Sequence, residues 1–369
     1  MAKIVISGYY GFNNIGDESI LTSIVSNLKQ SIPKAEITVL SVNPQSTEKK
    51  HGVKAINRKK IMQILQEIKN CDLLISGGGS LLQDVTSGKS VSYYLGVIMM
   101  GLLLKKKVMI YSQGIGPVNR GYNRMLVKYV LNKVDCITVR DEKSMDELLK
   151  MGVDIPPIFV TADPVIGLDK VPLELGREKL IQEGLEADNG RSLIGFAIRG
   201  WKKNDKLKAV LAKTADRLIE ELDVQVVFIP FHYGEDIRFM EEIEKEMKQQ
   251  AVFVKHKYDV REMLGITGNL DLLVGVRLHS LIFAAIMNVP MIGISYDPKN
   301  DSFMASLEQK CLCNVEELTF EDLLIEIEAK WANRHEEKEI LKKCVVSLKE
   351  KLSLNEKLVH DLLVGEVIR

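Results

Sequence analysis

The sequence predicts an α/β protein built from two Rossmann-like halves and a helical tail. Three observations carry that expectation. Short apolar runs alternate with amphipathic stretches, the pattern of strands buried in parallel sheets and of the helices that cover them. The alternation breaks between Asp163 and Gly190 and then resumes. The apolar runs end in glycine or polar clusters, and the carboxyl ends of strands are where open α/β sheets bind ligands. A chain of 369 residues is also too long for one ordinary core.

The first half opens with a short buried strand, Lys3 to Ile6. Gly8-Tyr9-Tyr10-Gly11-Phe12-Asn13-Asn14-Ile15-Gly16-Asp17-Glu18 follows, with a helix starting near Ile15 to Ser19. The loop is not G-x-G-x-x-G. It reads either as a tight turn with Asp17 at the helix start, or as a polar loop offering Asn14, Asp17 and Glu18 to sugar hydroxyls. Ile37 to Leu40 is the next strand, and Ile61, Ile64, Leu65 and Ile68 form a helical stripe. Asp72 to Ser76 is a strand ending in Gly77-Gly78-Gly79-Ser80, where glycines would let the backbone approach a ligand. Val108 to Ser112 ends in Gln113-Gly114-Ile115-Gly116-Pro117, with Arg120 just beyond, and Ile137 to Val139 ends in Arg140-Asp141. Four such loops on one sheet edge read as the rim of a site.

Asp163-Pro164, Pro172 and the polar stretch from Glu183 to Arg191 suggest a linker. The second half restarts with Leu193 to Ile198, ending in Arg199-Gly200-Trp201. A helix over Lys206 to Leu222, a strand over Val224 to Ile229 and a charged helix over Glu235 to Gln249 follow, the last reading as a solvated outer face. After a strand at Val252 to Val254 and a helix at Val260 to Thr267, Leu272-Leu273-Val274 is a buried strand that ends in Gly275-Val276-Arg277-Leu278-His279. Ser280 to Asn288 reads as a helix and Pro290 to Tyr296 as a strand, ending in Asp297-Pro298-Lys299. Phe320 to Lys330 and Glu337 to Leu363 are amphipathic helices. The expected domains are 1–170, a linker at 171–190, a second domain at 191–318 and helices at 319–369. Two Rossmann-like domains facing a cleft, with last helices returning to the first domain, is the glycosyltransferase-B-like layout.

Charges balance, 50 basic against 50 acidic, so nothing points to nucleic acid, which draws a basic excess. The five cysteines show no metal-ligand pairing, and an odd count fits a reducing cytosol. Met1-Ala2-Lys3 runs straight into the first strand, and Tyr93 to Leu104, the longest apolar stretch, is too short to span a bilayer. The expectation is a cytoplasmic protein. Lys105-Lys106-Lys107 reads either as a solvated turn or as a contact for a peripheral membrane surface.

Arg277 and His279 stand at a strand end where a helix begins, a place suited to anions. Arg199 and Lys299 belong to the same edge, and three cations in a chain without excess charge point to a small polyanion. The bland alternatives are a salt-bridged Arg277, a packing His279 and a Lys299 paired with Asp297. No nucleophile elbow, Walker loop or zinc spacing appears.

On the combination of Gly8 to Glu18, Ser76 to Ser80, Tyr111 to Pro117, Thr138 to Ser144, Gly195 to Trp201 and Gly275 to Ser280, the chain resembles the polysaccharide pyruvyltransferase family. Within it the likeness is to the CsaB-type enzymes of bacterial secondary cell-wall polysaccharide synthesis. The resemblance implies phosphoenolpyruvate as donor substrate, no cofactor and no metal. It implies a cyclic pyruvyl ketal on N-acetylmannosamine of a lipid-diphosphate-linked disaccharide, an anionic handle for S-layer proteins. The donor residues it implies are Arg199, Arg277, Leu278 and His279, with Lys299 added. Residue chemistry agrees: the arginines suit a carboxylate and a phosphate, and His279 is a candidate acid for the donor's C3. The acceptor is expected on the first domain, near Asn14, Glu18, Gly78, Gly79, Gln113 and Arg120, with Asp17 as the base. Two rivals stand beside this reading. One is a sugar-nucleotide glycosyltransferase, disfavoured because Leu281 to Met287 carries no acid. The other is a non-catalytic binder of anionic sugars.

Overall fold

A computed structural model describes the chain except residues 13, 86–87, 187–189, 201–204, 367 and 369 and the side chains of 88 and 89. Asn13 and Trp201, both within the motifs above, lie outside the described residues. The chain divides into two compact units. The first takes Met1–Phe12, Asp17–Leu168 and Leu348–Arg369; the second takes Asn13–Gly16 and Asp169–Ser347.

The first unit holds β1 (Lys3–Tyr10), α1 (Ile15–Ser31, from Asp17 on), β2 (Glu36–Ser41), α2 (Pro44–His51), β3 (Lys54–Asn57) and α3 (Ile61–Asn70). It continues with β4 (Leu73–Leu82), α4 (Gly88–Leu103), β5 (Lys107–Ile115), α5 (Gly121–Leu131), β6 (Cys136–Val139), α6 (Glu142–Lys150) and β7 (Ile158–Val160). The strands form one sheet in the order β3-β2-β1-β4-β5-β6-β7, and every pairing is parallel. Leu74, Val108, Ile110 and Ile137 from the sheet pack with Val91, Leu95 and Ile98 of α4. Burial on both faces is why these strands read as continuous apolar runs.

The second unit holds α7 (Leu173–Gln182), β8 (Leu193–Ala197), α8 (Asp205–Leu222), β9 (Gln225–Phe228), α9 (Asp236–Glu246), β10 (Val252–Phe253) and α10 (Val260–Gly268). Then come β11 (Leu272–Gly275), α11 (Leu278–Met287), β12 (Met291–Gly293), α12 (Pro298–Ser306), α13 (Phe320–Ala332) and α14 (Arg334–Val364, as far as Ser347). Its sheet runs β10-β9-β8-β11-β12, again all parallel. Phe196, Phe228 and Phe253 stack across three adjacent strands, at 5.2 and 4.7 Å between ring centroids. Both sheets have the doubly wound order. Their strand order therefore reverses between β1 and β4 in one unit and between β8 and β11 in the other, and ligands bind at such switch points.

The structure corrects several expectations. β4 runs through its glycine cluster and β1 and β5 run into theirs instead of ending before them, so Gly78, Gly79 and Gln113 are strand residues. The stretch expected as a linker carries α7, which lies so close on α10 that a Cβ on Gly176 would come within 2.2 Å of backbone atoms of Gly265 and Ile266. Helix α11 begins two residues early, which puts His279 in its first turn. Only the later part of the tail, from Leu348, belongs to the first unit. There Asn355 donates from Nδ2 to Ser112 Oγ (2.9 Å) and accepts from Thr138 Oγ1 (2.6 Å), tying α14 to β5 and β6.

Candidate active site

In the second unit the strand ends at the switch point supply two arginines. Arg199 follows β8 and Arg277 follows β11. The Arg277 side chain is only 12 % exposed. Its Nε donates to Asp236 Oδ2 (3.2 Å), and its Nη2 donates to Asp236 Oδ1 and to Glu235 Oε2 (3.4 Å). Asp236 is fully buried and also accepts the backbone N–H groups of Phe231 (3.0 Å) and His232 (2.8 Å). Four donors fix this carboxylate in place. Burial alone would push the Arg277 proton off, but the Asp236 carboxylate outweighs it and raises the pKa. The helix read as a solvated outer face therefore contributes, in its first turn, the anchor for Arg277.

The three cations meet at a residue that the sequence reading did not single out, Tyr296. The Arg199 guanidinium carbon is 5.0 Å and Lys299 Nζ 5.2 Å from its ring centroid. Burial pushes the Tyr296 phenol up, but Lys299, Arg199 and Arg277 together bring its pKa below the ordinary value. That net direction is a record of how much positive charge converges here. Arg199 also lies 3.9 Å from Glu235, and Lys299 lies 3.6 Å from Asp297. Asn300, fully buried, donates from Nδ2 to Val276 O (2.7 Å) and Ile294 O (3.0 Å), which fixes the loops bearing Arg277 and Tyr296. Leu278 is buried and packs rather than facing solvent.

His279 is half-buried. Its ring lies against Gly16, where an added Cβ would stand 2.0 Å from Nδ1. Asn14 accepts from Gly16 N–H (2.9 Å) and forms an antiparallel bridge with His232. Gly16 thus has a reason that motif inspection could not supply: it clears the space that the imidazole fills.

The first unit treats its expected acceptor residues unevenly. Glu18 is buried. It accepts Gly11 N–H (2.9 Å) and lies 3.6 Å from both Lys50 Nζ and His51 Nε2. Gln113 is fully buried and donates to Ser76 O (3.1 Å) and Oγ (2.7 Å). Gly78 is packed so tightly that a Cβ would sit 2.4 Å from Ile20. All three take part in interior contacts. Asp17 is half-buried in the first turn of α1, its Oδ1 3.6 Å from where a Cβ on Gly79 would be. Arg120 is exposed, and its backbone N–H donates to Asp84 Oδ2 (2.9 Å). Asp84 also accepts from Asn119 N–H and Asn123 Nδ2, both at 2.9 Å, and so sets the loop after β5. Nearby motif residues have packing reasons too. Tyr10 lies over Gly8 and Gly77, whose Cβ atoms would come within 2.7 Å of it, and Arg140 lies over Gly114 at 2.5 Å.

Two parallel sheets of doubly wound order, with helices on their faces and a helical C-terminal region, define the fold of glycosyltransferase-B enzymes. Solved structures agree on that fold. Anabaena HepE in complex with UDP-glucose matches with a TM-score of 0.67 and 10 % identity over 99 % of this chain and all of that one. The Escherichia coli ADP-heptose lipopolysaccharide heptosyltransferase II matches with a TM-score of 0.55 and 16 % identity over 91 % of this chain and all of its own. At such identities the likeness shows the fold alone. The family is shown by sequence: residues 14–298 match the polysaccharide pyruvyl transferase family, and the chain belongs to it. A curated relative, the amylovoran biosynthesis protein AmsJ of Erwinia amylovora, is 21 % identical, the alignment covering 83 % of this chain and 86 % of AmsJ. Membership makes the protein a transferase of polysaccharide pyruvylation.

Proposed function

We propose that the protein transfers the pyruvyl group of phosphoenolpyruvate to a sugar of a cell-wall polysaccharide precursor, closing a cyclic ketal and releasing phosphate, as CsaB-type enzymes do. The observation that carries this reading is the convergence of Arg199, Arg277 and Lys299 on Tyr296 at a switch point. A compound bearing both a carboxylate and a phosphate suits such a cluster. A sugar hydroxyl attacks C2 of the enol phosphate as C3 takes a proton from His279. The C–O bond to phosphate then breaks with the cations balancing the departing charge, and a second hydroxyl of the same sugar bonds to C2 as its proton passes to the now neutral His279. Asp17 takes the acceptor proton, and Asn14 and Arg120 bind the acceptor. The acceptor is N-acetylmannosamine in a lipid-diphosphate-linked disaccharide, and the lipid brings the protein to the inner face of the membrane. Among the described residues no helix is long and apolar enough to cross a membrane, which is compatible with peripheral contact. Incubation with phosphoenolpyruvate and candidate disaccharide-diphosphate acceptors, followed by mass spectrometry, tests the reading. A pyruvyl ketal on the acceptor supports it; consumption of a sugar nucleotide instead would assign the chain to glycosyl transfer.

A further inference from the structure

Helix α5 is apolar on two opposite sides. Val127, Val130 and Leu131 are buried in the first unit's core. Tyr122, Met125, Leu126 and Tyr129, spaced i, i+3, i+4 and i+7, form one stripe on the outside. Met125 is 72 % exposed and Tyr129 58 %. Ile155, 75 % exposed, extends the stripe at the helix's end: its N–H and that of Asp154 donate to Asn132 Oδ1, both at 3.0 Å. A surface helix ordinarily carries charge on its outer side, and a contiguous exposed apolar stripe marks a surface that something else covers.

The charges beside the stripe identify the cover. Residues 118–134 contain Arg120, Arg124, Lys128 and Lys133 and no acid. Lys133 Nζ lies 3.5 Å from the Tyr129 ring centroid, so the cation borders the aromatic directly. Apolar and tyrosine side chains in the middle with lysine and arginine at the edges is the pattern of helices that lie in a bilayer interface. We infer that α5 docks the protein on an anionic lipid surface, with Tyr122, Met125, Leu126 and Tyr129 entering the headgroup region and Lys128 and Lys133 meeting lipid phosphates, while Arg124 is held by the carbonyls of Val118 (3.1 Å) and Lys150 (3.2 Å). A second copy of the chain fits less well. A stable protein interface uses roughly 20–30 residues a side, and pairing two such faces would bring their like charges together. The lysine turn at Lys105–Lys107 is a weaker candidate, because Lys107 Nζ is held by Asp135 at 2.9 Å. The inference does not depend on the identity of the donor, and its test reads binding rather than turnover.

The test is flotation of the full chain with vesicles of phosphatidylglycerol and phosphatidylcholine, and with phosphatidylcholine alone. The expected result is flotation with the anionic vesicles that weakens in high salt, by about fivefold in affinity for each basic residue removed, as in Lys128→Gln and Lys133→Gln. The double variant Met125→Ser/Tyr129→Ser should lose on the order of tenfold or more in affinity, with unchanged circular dichroism and melting temperature because both side chains are exposed. Three outcomes would overturn the inference. These are no flotation with either vesicle, flotation indifferent to both sets of substitutions, and a concentration-dependent dimer that the serine variant dissolves.

Discussion

His279 and Arg277 are two residues apart, yet the structure gives them different duties. Arg277 is fixed from below by Asp236 and Glu235, whereas the His279 ring is positioned by contact with Gly16. Removing a general acid costs about 10²- to 10⁴-fold in rate. His279→Gln keeps a hydrogen-bond donor but cannot supply a proton, so turnover should fall by that factor while calorimetry still detects donor binding. Turnover near wild type would assign His279 to positioning alone. Arg277→Ala should act twice. It weakens the donor site, and it strands the buried Asp236 carboxylate, which costs about 3–5 kcal/mol when a buried pair loses one partner. Lys299 is more exposed than Arg277, its ammonium near Asp297 and the Tyr296 ring, so Lys299→Ala should weaken donor binding and leave the melting temperature almost unchanged. Equal losses of stability in the two variants would contradict this division. The cations themselves could be found in the sequence because arginine at a strand end is conspicuous. Their anchor could not: Asp236 lies 41 positions before Arg277, in a helix whose remaining charges do look solvated. Tyr296 escaped notice because a tyrosine closing a strand has an ordinary packing explanation.

At the scale of elements, the start of α1 depends on Glu18. Its carboxylate holds Gly11 N–H, in a turn whose glycine has φ +84°, and faces Lys50 and His51 of α2. Burial pushes the Glu18 pKa up, but the His51 and Gly11 hydrogen bonds and the Lys50 charge outweigh it and set it below the usual carboxylate value. A carboxyl with a lowered folded-state pKa contributes stability that is fully present above the unfolded value near ~4.3 and disappears as pH falls through the folded one. Wild type should therefore lose melting temperature through that window. Glu18→Gln should start lower at neutral pH, by about 1–3 kcal/mol for the lost charge-assisted bonds, and lose less on acidification. Parallel melting curves for the two proteins across pH 7 to 3 would contradict the role. The alternation of strands and helices was readable because each buried strand is an unbroken apolar run. The ends were not, because three consecutive glycines normally break a strand. Here they admit Tyr10 and Ile20 against the sheet, and β4 pairs on with β5 as far as Leu82 and Ile115. Helix α7 was hidden for a similar reason: Gly176, which reads as a breaker, lets α7 and α10 touch by their backbones.

For the whole molecule, Arg199, Arg277 and Lys299 follow strands of the same doubly wound unit, and the family is shown by residues 14–298. The chain crosses between units more often than a linear reading allows: 13–16 belongs to the second unit and the tail from Leu348 to the first. Such long-range membership leaves no periodic signal, since Asn355 reaches Ser112 over 243 positions through single hydrogen bonds. The central claim is donor-dependent ketal formation. The most direct measurement supplies phosphoenolpyruvate and a lipid-diphosphate disaccharide ending in N-acetylmannosamine, and follows acceptor mass and released phosphate in one reaction. The account predicts an acceptor that gains a pyruvyl ketal with an equal amount of phosphate, and neither product above background with His279→Gln. An acceptor of unchanged mass, or phosphate released equally without acceptor, would contradict it.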